Sequence, residues 1–213
     1  MKIYHCHIDQ WDQESRLELL SMNGFPLQEQ MRIKKLHVLN DQLLSVLGIS
    51  LMSYAGVSID KLKRTDYNRP FTDDSGFTIN VSHSGKRVIL AKVAHGSVGI
   101  DIELKNQINL IDFHQIMNQD EINTVNTLDE FYRLWTSKEA VIKALGTGFQ
   151  QDVKEIILSE NQAFLNKQTW ELKEVLIDPD YHCTVASDKK IGKVEIIALL
   201  PSEIINNSTL TYK

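Results

Sequence analysis

At 213 residues with 42% hydrophobic content, the chain is long enough to bury a sizeable core, as one large unit or two fused small ones. A net charge of −5 and a pI near 5.8 argue against general binding to nucleic acid or to an anionic membrane, so an anionic ligand must meet a local cationic patch. Two distant cysteines, Cys6 and Cys183, exclude a disulfide framework and a four-cysteine zinc site, and both read as buried thiols in a reducing cytoplasm.

Residues 2–8 alternate as a strand with Ile3, His5 and His7 on one face. Two strand histidines without a third ligand are ordinary edge residues more often than a metal site. The start has no long apolar core of a signal peptide and no run approaches membrane-spanning length, so a soluble, cytoplasmic protein is expected. From 27 to 54 the spacing is helical, with Met31, Leu36, Leu39, Leu43, Val46 and Leu47 as the buried stripe and a break at Asn40-Asp41. Arg32, Lys34 and Lys35 make the densest cationic patch of the first half, a solvated face unless a phosphate meets it.

Pro70 holds Arg69 toward extended backbone and presents its guanidinium from a stiff loop. Residues 77–85 and 87–94 read as two strands, and His83 lies at the end of the first, where ordinary and ligand-binding roles balance. Val98-Gly-Ile-Asp-Ile-Glu103 alternates strictly, burying Val98, Ile100 and Ile102 and setting Gly99, Asp101 and Glu103 on the other face. Two carboxylates there repel each other unless a cation lies between them, and carboxylates plus phosphates are what Mg²⁺ takes. Gly99 beside them signals that something bulky approaches the backbone.

Residues 110–117 predict an amphipathic helix, followed by a polar junction containing Glu121. The stretch 131–145 predicts the central helix: Phe131, Leu134, Trp135, Ile142 and Leu145 form its core stripe, and Gly146 and Gly148 stop it. Glu139 and Lys143 stand one turn apart on the flank beside Trp135, which alone is most simply a weak surface ion pair. Lys138 falls within the apolar stripe, where its charge needs a partner. Segments 153–159, 169–177, 182–186 and 194–200 have the character of antiparallel strands, so the order strand, helices, strands occurs twice and the class is α+β.

Together Asn80-Val-Ser-His-Ser-Gly85, Gly99-Ile-Asp-Ile-Glu103 and Trp135-Thr-Ser-Lys-Glu-Ala-Val-Ile-Lys143 resemble the signature of 4′-phosphopantetheinyl transferases of the surfactin-synthetase-activating type. The resemblance implies two similar α+β halves, 1–98 and 99–213, about a pseudo-twofold axis with the active site in the cleft between them. It implies Mg²⁺-dependent transfer of phosphopantetheine from coenzyme A to a serine of an apo acyl or peptidyl carrier protein, by a cytoplasmic monomer. Within it, Asp101, Glu103 and Glu139 would hold Mg²⁺, Lys143 would neutralise the leaving phosphate, and Glu121 would help deprotonate the serine. Arg32, Lys35, Arg69, Ser82, His83 and Lys143 would bind the coenzyme. Two departures stand out: Glu29 occupies a position often basic in related enzymes, and Ile116-Met-Asn-Gln-Asp-Glu121 lacks the family's phenylalanine. Rival readings are a serine hydrolase built from Ser82 or Ser84, His83 and Asp101, which lacks a Gly-Xaa-Ser-Xaa-Gly elbow, and a silent module that binds coenzyme A or a carrier protein.

Overall fold

Val88, Ile89, Leu90 and Ala91 are each 0% exposed, so the strand that carries them is covered on both faces. The structure is a computed structural model that describes the chain apart from residues 22–23, 74–75, 147, 149–150 and 209–213, with backbone alone at 206–208. In chain order it begins with β1 (Lys2–His7), α1 (Gln13–Leu20), α2 (Leu27–Lys34), α3 (Leu39–Tyr54), β2 (Lys63–Arg64) and β3 (Pro70–Phe71). Then come β4 (Thr78–Ser84), β5 (Arg87–Val93), β6 (Val98–Leu104), α4 (Gln119–Thr124) and α5 (Leu128–Leu145). The last part holds β7 (Ile157–Ser159), β8 (Gln162–Leu165), β9 (Gln168–Glu174), β10 (Tyr181–Ser187), β11 (Glu195–Ala198) and α6 (Pro201–Ser208).

The α+β class expected from the sequence holds. One sheet has the order β11-β1-β5-β4 and a second the order β6-β10-β9-β8-β7, with β2 and β3 as a separate pair. Helix α3 packs Leu43, Val46, Leu47 and Leu51 against Tyr4, Cys6, Val88 and Leu90, one face of the first sheet. The other face, Ile3, Ile89 and Ala91, shares a core with Val98, Ile100, Ile102, Cys183 and Val185 of the second sheet. Helix α5 covers the far side of that second sheet through Ala140, Val141 and Ala144. Each fully buried valine, leucine or isoleucine side chain here contributes roughly 1.5–3 kcal/mol. Both cysteines are buried, and burial pushes the Cys6 thiol up to about 12.

The two sheets also meet edge to edge. Strands β4 and β6 run side by side, joined by side chains of β4: Asn80 Oδ1 accepts from Ile100 N at 2.9 Å and Ser84 Oγ accepts from Leu104 N at 3.1 Å. A helix start with a reciprocal capping box, Thr127 with Glu130, and a left-handed stop at Gly146 (φ 75°) set the ends of α5 as its sequence predicts.

Several expectations are corrected. The long helical pattern breaks at residues 35–38 rather than at Asn40-Asp41, which turns the phase of α2: Met31 and Leu39 are exposed, and Ile33 is the buried residue. Residues 110–117 form a 3-10 helix over Leu110–Ile116, not an α-helix, and no residue within that helix is fully buried, whereas Met117 after it is. Strand β11 pairs parallel to β1, so it completes the first sheet instead of extending an antiparallel set. Residues 153–155 are a 3-10 turn, and strand β8 pairs with β7 in a hairpin that no sequence signal announced. Helix α1 was likewise unannounced.

Candidate active site

Successive turns of α5 carry Trp135, Glu139 and Lys143 on one flank, as the four-residue spacing predicts. That flank faces Asp101 and Glu103 of β6 and, beyond them, Ser82 and Ser84 of β4. The close approach signalled by Gly99 is the backbone of α5 itself, because a methyl group there would collide with Ala140 O and Ala144 N. The face of β6 opposite its aliphatic row is therefore roofed by a helix, and Asp101 is only 1% exposed.

Asp101 Oδ1 accepts from Lys143 Nζ and from Ser82 Oγ, the latter at 3.0 Å, and Lys143 Nζ also donates to Ser82 Oγ at 2.9 Å. Asp101 Oδ2 is buried with no partner. Ser84 Oγ donates to Glu103 Oε2 at 2.7 Å. Glu139 Oε1 is a second buried oxygen without a partner. Burial pushes the Glu139 carboxyl up to about 7 against the pull of Lys143, and the charges of Asp101 and Glu103 add to the rise. Burial also raises Glu103, opposed by the Ser84 hydrogen bond and reinforced by the charge of Asp101, while Lys143 and the indole of Trp135 oppose the rise further.

Two buried carboxylates with orphaned oxygens, Asp101 and Glu139, and the half-buried Glu103, whose charge bears on Glu139, are the kind of hard donors that a divalent cation such as Mg²⁺ takes. Among the described residues no group of three or more His, Cys, Asp and Glu stands at ligand spacing around one point. The Lys143 ammonium instead supplies the positive charge on Asp101.

The remaining expected residues fall in three places. Arg32 and His83 line a cavity of about 190 Å³ with Asn68, Pro70 and Val81, and Lys35 stands exposed on the turn after α2. Arg69 lies elsewhere: its Nη1 donates to Ala144 O at 3.2 Å, and it lines a separate cavity of about 470 Å³ with Phe71, Phe77 and Leu145. Glu121 caps α4 through Asn118 N at 2.8 Å and accepts from Lys138 Nζ at 2.6 Å, contacts on α4 and on the Lys138 side of α5 rather than with Asp101, Glu103, Glu139 or Lys143. Lys138 is 0% exposed, so its charge does find the partner it needs, though burial outweighs Glu121 and holds its pKa below the usual lysine value. The hydrolase arrangement is not formed: Ser82 and Ser84 bond to carboxylates on the β6 side, whereas His83, on the opposite face of β4, lines the cavity with Arg32.

Sequence reasoning missed Arg64. Its Nε and Nη2 hold both oxygens of the buried Glu29 at 2.5 and 2.9 Å, while Arg32 Nε holds Oε2 at 2.9 Å. Burial alone would raise the Glu29 carboxyl, but the two arginines outweigh it and keep it below the usual range. The unusual acid of α2 is thus neutralised, and it fixes two guanidinium groups at the rim of the His83 cavity. A signal for Arg64 existed in the basic run Lys61-Leu-Lys-Arg64.

Residues 97–186 match the family model described as the 4′-phosphopantetheinyl transferase superfamily. The chain is 30% identical over 169 residues to an L-aminoadipate-semialdehyde dehydrogenase-phosphopantetheinyl transferase of Xenopus laevis, covering 63% of this chain and 55% of that protein. It is 28% identical over 158 residues to a 4′-phosphopantetheinyl transferase of Aneurinibacillus migulanus, covering 68% and 65%. A Haemophilus influenzae protein, named as a 4′-phosphopantetheinyl transferase on a provisional basis, is 32% identical over 121 residues, covering 53% and 49%. The matches therefore span less than two thirds of these relatives' lengths. The motif resemblance is borne out, and the matched family region holds Asp101, Glu103, Glu139 and Lys143.

Proposed function

We propose that this chain, whose residues 97–186 match the model of the 4′-phosphopantetheinyl transferase superfamily, moves the phosphopantetheine group of coenzyme A onto a serine of an apo acyl or peptidyl carrier protein. The observation that carries the reading is the buried seam where the carboxylates of Asp101 and Glu139 keep unpartnered oxygens beside the Lys143 ammonium. Such a seam is costly for folding alone and suited to a cation with a pyrophosphate.

In this reading the serine oxygen forms a bond to the phosphorus that bears pantetheine, the pyrophosphate P–O bond breaks, and adenosine 3′,5′-bisphosphate leaves with the electron pair. Asp101, Glu103 and Glu139 would hold Mg²⁺, which supplies neutralisation of the pyrophosphate when bound. Lys143 moves its charge from Asp101 toward the leaving phosphate, where charge grows in the transition state. Glu121 would receive the serine proton on Oε1, the buried oxygen that has no partner, while Lys138 holds Oε2. Arg32, Lys35, Arg69, Ser82 and His83 would grip the coenzyme's phosphates, with Arg64 added to the Arg32 and His83 group.

The proposal extends to a pseudo-twofold pair of halves, 1–98 and 99–213, in which the second returns β11 and α6 to the first sheet. It includes a cytoplasmic monomer that acts without nucleic acid or membrane. No described helix is long and apolar enough to cross a membrane. The test is incubation with coenzyme A, Mg²⁺ and several apo carrier proteins, followed by intact mass: one carrier should gain a phosphopantetheine, and no gain on any carrier would reject the reading. Light scattering should give the mass of one chain.

A further inference from the structure

Glu103 differs from its two acidic neighbours in how it is held. Ser84 Oγ accepts from the backbone N–H of Leu104 at 3.1 Å, and so must turn its own hydrogen elsewhere; it donates to Glu103 Oε2 at 2.7 Å. The hydroxyl's orientation is therefore fixed by the backbone of the residue next to the glutamate it serves. From α5 the indole of Trp135 also favours the charged form of the same side chain. Glu103 is long and partly exposed here, and the charges of Asp101 and Glu139 repel it, so the Ser84 bond opposes its turning away from the seam.

We propose that Ser84 is a positioning residue that clamps the Glu103 carboxylate in the seam and thereby sets the affinity of the site for a divalent cation. The inference rests on the reading proposed above, with Glu103 as a cation ligand. Supporting partners of a ligating carboxylate are typically worth about 10- to 100-fold in metal affinity.

The test is a titration of Mg²⁺ into the full chain at saturating coenzyme A, read by calorimetry and by the Mg²⁺ midpoint of thermal stabilisation. Ser84→Ala should raise that midpoint at least about tenfold, and Ser84→Thr, which keeps the hydroxyl, should restore it. Ser84→Val suits a strand and also lacks the hydroxyl, so it should move the midpoint the same way, and it carries the test should Ser84→Ala fail to fold. A merely structural Ser84 would lower the melting temperature without Mg²⁺ while leaving the midpoint at the wild-type value; that result, or an unmoved midpoint in Ser84→Val, overturns the clamp. A wild type with no Mg²⁺ response in the presence of coenzyme A overturns the inference together with the functional reading, whereas a normal wild-type response with unmoved variants removes the clamp alone.

Discussion

Lys143 and Asp101 meet through one carboxylate oxygen only: the ammonium and Ser82 both sit on Oδ1, and Oδ2 is left buried and bare. The pair is asymmetric in exposure, 28% for the lysine side chain and 2% for the aspartate. Removing the lysine therefore strands a charge that cannot reach water. Lys143→Met should lower unfolding stability by about 1–3 kcal/mol, and adding Asp101→Asn to it should recover part of that loss. Urea denaturation of the two single variants and the double variant checks this; equal and additive losses would remove the coupling. Turnover should fall in Lys143→Met at saturating coenzyme A.

Glu139 makes the ligand-free protein pH-sensitive. Burial pushes its folded pKa to about 7, above the ordinary glutamate value of 4.5, so the native state binds the extra proton between those values. Stability is then fully present below about 4.5 and is lost as pH rises through about 7. Glu139→Gln should flatten that slope and unfold at a higher denaturant concentration than wild type at pH 8, by an amount on the order of 1–3 kcal/mol. Denaturation midpoints at pH 5 and pH 8 measure it, and a wild type more stable at pH 8 contradicts the sign.

Gly99→Ala should be among the most damaging small changes in the chain. Its methyl group meets helix backbone, at Ala140 O and Ala144 N, which cannot move aside as a side chain can. Loss of stability by about 3 kcal/mol or more is expected, together with loss of transfer activity as α5 lifts from β6. A variant that melts within a few degrees of wild type would contradict the packing.

Arg32 and Arg69 should separate. Arg32→Ala opens the cavity it shares with His83 and should raise the apparent constant for coenzyme A roughly tenfold with little change in saturated turnover. Arg69→Ala also removes a donor to Ala144 O in the last turn of the helix that carries Lys143, so it should lower saturated turnover as well. Steady-state kinetics on both variants distinguishes the two patterns.

Much of this was legible in the sequence because it is local. Alternation along Val98–Glu103 and four-residue spacing from Trp135 to Lys143 each assign a face, and both faces came out as read. What those faces look at is a long-range fact: nothing in Gly99-Ile-Asp states that a helix some 40 residues later lies on it. The same alternation also puts Asn80, Ser82 and Ser84 on one side of β4, a signal for the polar seam that attention to His83 alone passes over. The misread stripe of α2 has a plain cause, since a break at 35–38 resets the helical phase and turns Met31 outward. The β8–β9 hairpin turns through Asn166 and Lys167 at φ 51° and 65° with no glycine, so its turn has no strong sequence mark.

The parallel pairing of β1 with β11 sets a schedule for the nascent chain. Lys2 is made long before its partner Glu195, and the nitrogen of Met1 waits 192 positions for Lys193 O at 3.2 Å. The first sheet thus cannot gain its outer strand, nor Leu199 and Ile204 join the core under α3, until residues 195–204 have left the ribosome. Until then β1 has an unpaired edge, which makes the stretch before residue 195 the interval in which chaperone protection matters most.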